Sequence, residues 1–205
     1  MIAMKRIRYA VAIAAMLLPF ALHAQTSTDW VGELARTMKG RYGVGFTMQM
    51  QGEQPMGGYY AVDGDLYYLT LGVSEVYGDG KLRYEINNER KEVTEDRVNI
   101  DSFDLLNNPT RAFDFVDSEF SSQIETAAAD SAVIVLRPRK SGEAISMIRI
   151  SVRRTQHGVE PVKVEYDFDG DRIGIVLDRI EFGQSVEVRR WNSKSYRAYE
   201  MISFL

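Results

Sequence analysis

The chain has 205 residues, with 25 Lys+Arg against 29 Asp+Glu for a formal charge of −4, and no cysteine. That length can bury a real core in one domain or two small ones, and the missing thiols exclude disulfides, thiolate metal sites and a cysteine nucleophile. The acidic balance disfavours nucleic acid and anionic membrane surfaces as partners.

Lys5, Arg6 and Arg8 precede an apolar run from Tyr9 to Leu22, broken only by Pro19, and Leu22-His23-Ala24 ends it on a small residue. This is the pattern of a secretory signal peptide, residues 1–24, cut after Ala24. The run is short for a membrane span. Removing it takes away three of the 25 basic residues and no acidic one, leaving residues 25–205 as a single domain with a formal charge of −7. No cysteine is there to carry a lipid anchor, and no later apolar stretch has spanning length. The expectation is a protein free in the periplasm.

Asp29 or Thr28 can cap a short helix starting at Trp30, with Trp30, Leu34 and Met38 on one side, Val31 beside them, and Gly40 at the exit. Val44, Phe46, Met48 and Met50 then alternate with polar residues, as a half-buried strand does. Tyr59–Val62 and Leu66–Leu71 flank the tight-turn signal Asp63-Gly64. Glu75–Tyr77 and the alternating Leu82, Tyr84 and Ile86 flank a second, Asp79-Gly80. Asn87-Asn88 turns the chain toward Val93, Val98 and Ile100.

The stretch from Ser102 to Ile124 breaks this rhythm. Phe103, Leu105 and Leu106 crowd together before Asn108-Pro109, an N-cap and first helical position. Ala112, Phe113, Val116, Phe120 and Ile124 follow at spacings of one, three, four and four, which puts them on one face of a helix. Such a segment either packs a core or covers an apolar concavity. Strands then resume: Ala132–Leu136; Ile148, Ile150 and Val152; Val162, Val164, Tyr166 and Phe168; and, past Asp169-Gly170, Ile173, Ile175, Leu177, Ile180 and Phe182. Each has one apolar and one charged face, whereas helices on both faces would give continuous apolar runs. The fold expected is mainly β with some α: an incomplete antiparallel β-barrel, or half-barrel, covered by short helices.

Catalytic residues are few. Once the leader is cut, His157 is the one histidine, in the turn-like Thr155-Gln156-His157-Gly158. A histidine triad or histidine zinc site therefore lacks partners. Asp63 and Asp65, and Asp167, Asp169 and Asp171, straddle Asp-Gly turns, and the second group lacks the continuation of a calcium loop. Gly43-x-Gly45 leads into a strand rather than a nucleotide-binding helix, and no Gly-x-Ser-x-Gly element occurs. The expectation is a non-enzyme with no cofactor and no metal. What the chain has in quantity is apolar bulk: nine Met, nine Phe and eleven Tyr. Met38, Met48, Met50, Met56 and Met147 suit either an ordinary core or a ligand of irregular shape. The candidate ligand-binding set is the inner strand positions Phe46, Met48, Met50, Leu69, Tyr84, Ile86, Ile148, Ile150, Val164, Tyr166, Ile175 and Leu177. The lid residues Phe103, Leu106, Phe113, Val116 and Phe120 complete it.

The order of these parts resembles the LolA family of periplasmic lipoprotein carriers, in a divergent form. Phe46-Thr47-Met48-Gln49 is similar to the family's first strand, and Val76-Tyr77-Gly78-Asp79-Gly80-Lys81 to its central Asp-Gly-Lys hairpin. Tyr84 and Ile86 stand where the family has Trp and Tyr, and Asn108-Pro109 where its helix starts. The end, Trp191 to Tyr196 and then Tyr199-Glu200-Met201-Ile202, is similar to the close of its relatives. The family's Arg-Pro near Leu66-Tyr67, whose arginine helps latch the cover, is missing. The resemblance implies a monomer that takes lipoprotein acyl chains from an inner-membrane ABC transporter to an outer-membrane acceptor. The alternative is a lipid-sensing regulatory protein of the envelope with the same half-barrel.

Overall fold

Strands that share one apolar side bury it most economically by pairing edge to edge and wrapping that side around a common core. The computed structural model describes residues 27–99, 109–111, 113, 116–142 and 144–205. Helix α1 (Ser27–Thr37) is followed by β1 (Tyr42–Met50), β2 (Met56–Asp63), β3 (Leu66–Leu71), β4 (Ser74–Gly78), β5 (Leu82–Asn87) and β6 (Glu92–Arg97). A 3-10 turn (Pro109–Arg111) and a single helical turn, α2 (Val116–Glu119), lead into β7 (Phe120–Ala127) and β8 (Ser131–Pro138). Then come β9 (Ile145–Thr155), β10 (Gly158–Phe168), β11 (Asp171–Phe182), a 3-10 turn (Ser193–Tyr196) and β12 (Glu200–Ser203).

All twelve strands lie in one sheet, in the order β12-β6-β5-β4-β3-β2-β1-β11-β10-β9-β8-β7. The sheet is open, with β12 and β7 at its edges, and only β12 on β6 is parallel. Register shifts at Gly45/Phe46, Pro161/Lys163 and Ile124/Thr126 mark bulges, which bend a strand and increase its twist. The expected turns sit where Asp-Gly pairs allow a left-handed backbone: Gly64 has φ +61° and Gly80 φ +85°. Beside Gly80, the Asp79 carboxylate accepts from the amides of Lys81 and Leu82.

Helix α1 lies against β10, β8 and β7 and buries Trp30, Val31, Leu34 and Met38, the side expected from their spacing. It starts at Ser27 rather than Trp30, so Asp29 lies in its first turn, where a carboxylate complements the helix dipole. The Arg154 guanidinium donates to both oxygens of Glu33 at 2.9 and 2.8 Å and lies 4.4 Å over the Trp30 ring. This clamps the helix to the end of β9.

Two glycines let aromatic rings lie flat on neighbouring strands. Gly58 pairs with Phe46 and Gly78 with Tyr67, and a Cβ at either would fall within 2.3 or 2.0 Å of the partner's ring. Both rings are buried. A methyl group at Gly78 displaces the Tyr67 ring, so Gly78→Ala should cost about 1–3 kcal/mol of stability as an overpacking change. Gly57→Ala, with nothing within 4 Å of the new Cβ, should stay within about 0.5 kcal/mol of wild type. Urea midpoints of the two variants measure the difference.

Candidate functional site

The inner face of the sheet is continuous across strands from both ends of the chain. In register, Met48 pairs with Ile175, Ile175 with Val164, Val164 with Ile150, Ile150 with Ile134 and Ile134 with Ile124. One apolar row therefore crosses six strands from β1 to β7. A parallel row runs from Tyr166 through Ile148 to Leu136. Of the expected set, Phe46, Met48, Leu69, Ile148, Ile150, Val164, Tyr166, Ile175 and Leu177 are buried in one core with α1, and Met50 packs against it half-buried. Phe103 and Leu106 lie outside the described residues, as does Ile100.

Phe113, Val116 and Phe120 also enter this core, buried to 2%, 0% and 1% exposure. The segment carrying them is not the continuous amphipathic helix that their spacing suggests. Among the described residues of this stretch, helical structure is limited to the turn at Pro109–Arg111 and to α2, and the chain is extended from Phe120 on. The reason is an ambiguity of period: residues four apart share a face on a strand as well as on a helix, so Phe120 and Ile124 fit both. Phe113 has φ +72°, a left-handed backbone that is strained for a bulky side chain. The Pro109–Arg111 turn lies against β2 and β3, and Arg111 pairs with Glu119 at 3.0 Å, tying the start of the cover to its end.

Tyr84 and Ile86 are not on the inner face. Tyr84 pairs with Tyr77, and Tyr77 with Tyr68, while Leu69 and Val76 take the opposite parity and join the inner core. Toward this end of the sheet, the inner positions of β5 are the ion-paired Arg83 and Glu85. Alternation shows that two faces differ but not which one turns inward, and here the outer face is apolar because the chain's end covers it. Tyr68, Tyr77, Ile86 and Val93 form a second buried cluster with Tyr84, Val188, Trp191, Tyr196 and Tyr199 packed against it. The Trp191 ring is sandwiched between Tyr84 (4.3 Å, 6° between planes) and Tyr196 (5.1 Å, 9°). The stretch from Val188 to Tyr199 has no periodicity, so its role had no signal beyond its aromatic content.

Glu75 is the polar centre of this outer seam. Its carboxylate accepts from the hydroxyls of Tyr68 (2.9 Å) and Tyr77 (3.0 Å) and from the Asn88 amide (2.9 Å). The Tyr77 and Tyr196 hydroxyls are 2.8 Å apart, so the covering segment joins the same network. Partial burial alone would raise the Glu75 pKa, but the bonds from Asn88, Tyr68, Tyr77 and Tyr196 outweigh it and hold the carboxyl below its usual value of 4.5. Burial, followed by the bond to Glu75, pushes Tyr68 up to about 12.

Asp63 pairs with Arg41 and Asp167 with Arg172, and His157 is a turn residue contacting Glu160 at 3.2 Å and the Phe182 ring. Among the described residues, no group of three or more His, Asp and Glu is arranged to hold a metal, and no helix is long and apolar enough to cross a membrane.

A carboxylate held low in the folded state stabilises it above the ordinary carboxylate pKa, and that contribution disappears as pH falls through the lowered value. The seam should therefore stay closed down to pH 4.5, weaken as pH falls further, and open once pH has passed through the lowered value. Trp191 emission, taken as the difference between wild type and Trp191→Phe, reads the opening. Glu75→Gln should loosen the seam at neutral pH and remove this acid step.

No protein-family model matches the chain, and no curated protein does. Solved structures share its fold. An uncharacterized conserved protein from Thermus thermophilus is 6% identical, with 86% of this chain and 98% of that one covered and a TM-score of 0.53. MucB is 12% identical over 78% of this chain with a TM-score of 0.50, and the chain spans 60% of MucB's length. More distant is a LolA superfamily protein from Nitrosomonas europaea, 8% identical, with 84% and 98% covered and a TM-score of 0.38. The open half-barrel expected from alternation is the fold observed.

Proposed function

We propose that this protein is a non-catalytic carrier of the bacterial envelope that binds the acyl chains of lipoproteins, or other lipids, on the apolar inner face of its half-barrel. It works in the periplasm, receiving cargo from an inner-membrane ABC transporter and releasing it to an outer-membrane acceptor. The observation that carries this reading is the cover segment. Phe113, Val116 and Phe120 are buried in the core of an open sheet, Phe113 on a strained left-handed backbone and Val116 at the start of a single helical turn.

The energetics suit displacement. Each buried CH₂ is worth about 0.8 kcal/mol, so a sixteen-carbon chain gains up to roughly 12 kcal/mol, enough to trap it. A plug that must leave before cargo enters offsets part of that gain. Burying a Phe side chain stabilises by about 1.5–3 kcal/mol, and a strained backbone gives back about 1–3 kcal/mol of it. Phe113 is therefore held in place weakly for so buried a ring.

Protein purified from the periplasm should carry lipid or lipopeptide in native mass spectrometry, and the empty form should take up a fluorescent fatty acid. Recovery of empty protein alone, together with no uptake, would overturn the reading. Phe113→Asp should loosen the cover and speed release of the fluorescent fatty acid about tenfold or more in a stopped-flow chase, since a carboxylate does not remain in an apolar core. An unchanged release rate would contradict the plug. A pull-down that returns a membrane regulator in place of lipoproteins would favour the regulatory alternative.

A further inference from the structure

Where the Pro109–Arg111 turn meets the end of α1 and the β2–β3 turn, the surface holds a concavity of about 400 Å³. Its floor includes Met38, Tyr42 and Val62, all members of the inner core, so the concavity lies directly over apolar side chains. Its rim is basic. Arg36, Lys39 and Arg111 line it from both sides, with Asp65 the one lining carboxylate among the described residues and Glu119 paired to Arg111. This is a positive mouth on a chain with a formal charge of −4. Arg36 is fixed by an Nε bond to the Gly32 carbonyl at 3.1 Å, and Arg111 by its pair with Glu119. Lys39 is exposed and makes no ion pair among the described residues.

From this juxtaposition we infer that the mouth receives an anionic lipid headgroup, so that the cargo is an acyl amphiphile carrying phosphate on its head. The inference rests on the acyl-carrying reading and narrows it to one class of ligand. The tail enters over Met38 and Tyr42, and the phosphate stays at the rim, where solvent reduces the cost of its charge and Arg36 and Lys39 supply the counter-charge. The volume lies within the range of roughly 300–1,000 Å³ found for small-molecule sites. Basic residues in the last turn of a helix also complement its dipole, but that role makes no distinction between lipid heads.

The test compares two ligands that differ only in the phosphate: 1-palmitoyl lysophosphatidate and 1-monopalmitoylglycerol, each displacing a fluorescent fatty acid from the full protein at low salt. The lysophosphatidate should bind about tenfold more tightly, and raising the salt should shrink that margin because rim charges are screened. The double variant Arg36→Gln, Lys39→Gln should cut the preference about fivefold with monopalmitoylglycerol affinity unchanged. Asp65→Asn should move it the other way. Both positions of the double variant are exposed, and circular dichroism verifies its fold. Equal binding of the two lipids by wild type, or a preference that survives the double variant intact, overturns the headgroup site and leaves the acyl carrier standing. If neither lipid displaces the probe, the carrier reading itself falls.

Discussion

An open sheet with an apolar inner side has to be closed against water by the rest of its own chain. The row from Met48 to Ile124 crosses six strands with no strand pairing to seal it, because β7 and β12 are edges and not partners. A closed barrel would have no such edges. Here exclusion depends on α1 and on the segment that brings Phe113, Val116 and Phe120 inward. Other features follow from this need: the Arg154–Glu33 clamp holding α1 down over β9, and the Arg111–Glu119 pair tying the cover's two ends.

The two faces are covered by different physics. On the outer face, aromatic stacking around Trp191 and a polar network around Glu75 bond the chain's end to the sheet, with hydroxyls, carboxylate and amide paired to one another. Such a network gains from mutual satisfaction and is costly to half-open. The inner cover instead places Phe113, Val116 and Phe120 in the core. It is held by apolar burial, which has no preferred partner, and an acyl chain satisfies the same surface as well as a phenylalanine does.

The sheet was legible in the sequence because alternation and Asp-Gly turns are local signals, and β1 to β6 and β8 to β11 lie where those signals put them. Two errors have a common origin. A period fixes which residues share a face, but the distance from Phe120 to Ile124 fits two periods, and the pair Tyr84 and Ile86 shares a face that turned out to be the outer one. Both ambiguities are resolved only by what packs on the strand, and for Tyr84 that is Trp191, more than a hundred residues away. The charged alternates Arg83 and Glu85 looked like a solvent face and instead occupy the inner side near the sheet's end, paired to each other. The basic rim at Arg36, Lys39 and Arg111 was unreadable for the same reason, since its members come from two segments that meet only in the fold.

Strain at Phe113 bears on how such a carrier would turn over. A cover that gained its full burial energy would compete with cargo so strongly that loading failed, and one that gained none would leave the empty sheet exposed and prone to association. The useful condition lies between, where cover and cargo differ by a few kcal/mol and a partner's contacts can reverse the sign. A left-handed backbone beneath a fully buried aromatic ring sets such a condition locally. The ring contributes water exclusion while the backbone beneath it lowers the net gain, so the empty state stays closed without being deeply trapped. On the proposed reading, flattening that residue into an ordinary extended conformation would make the protein more stable and a poorer carrier, because plug and cargo would be held on the same row of isoleucines and valines by the same non-directional force.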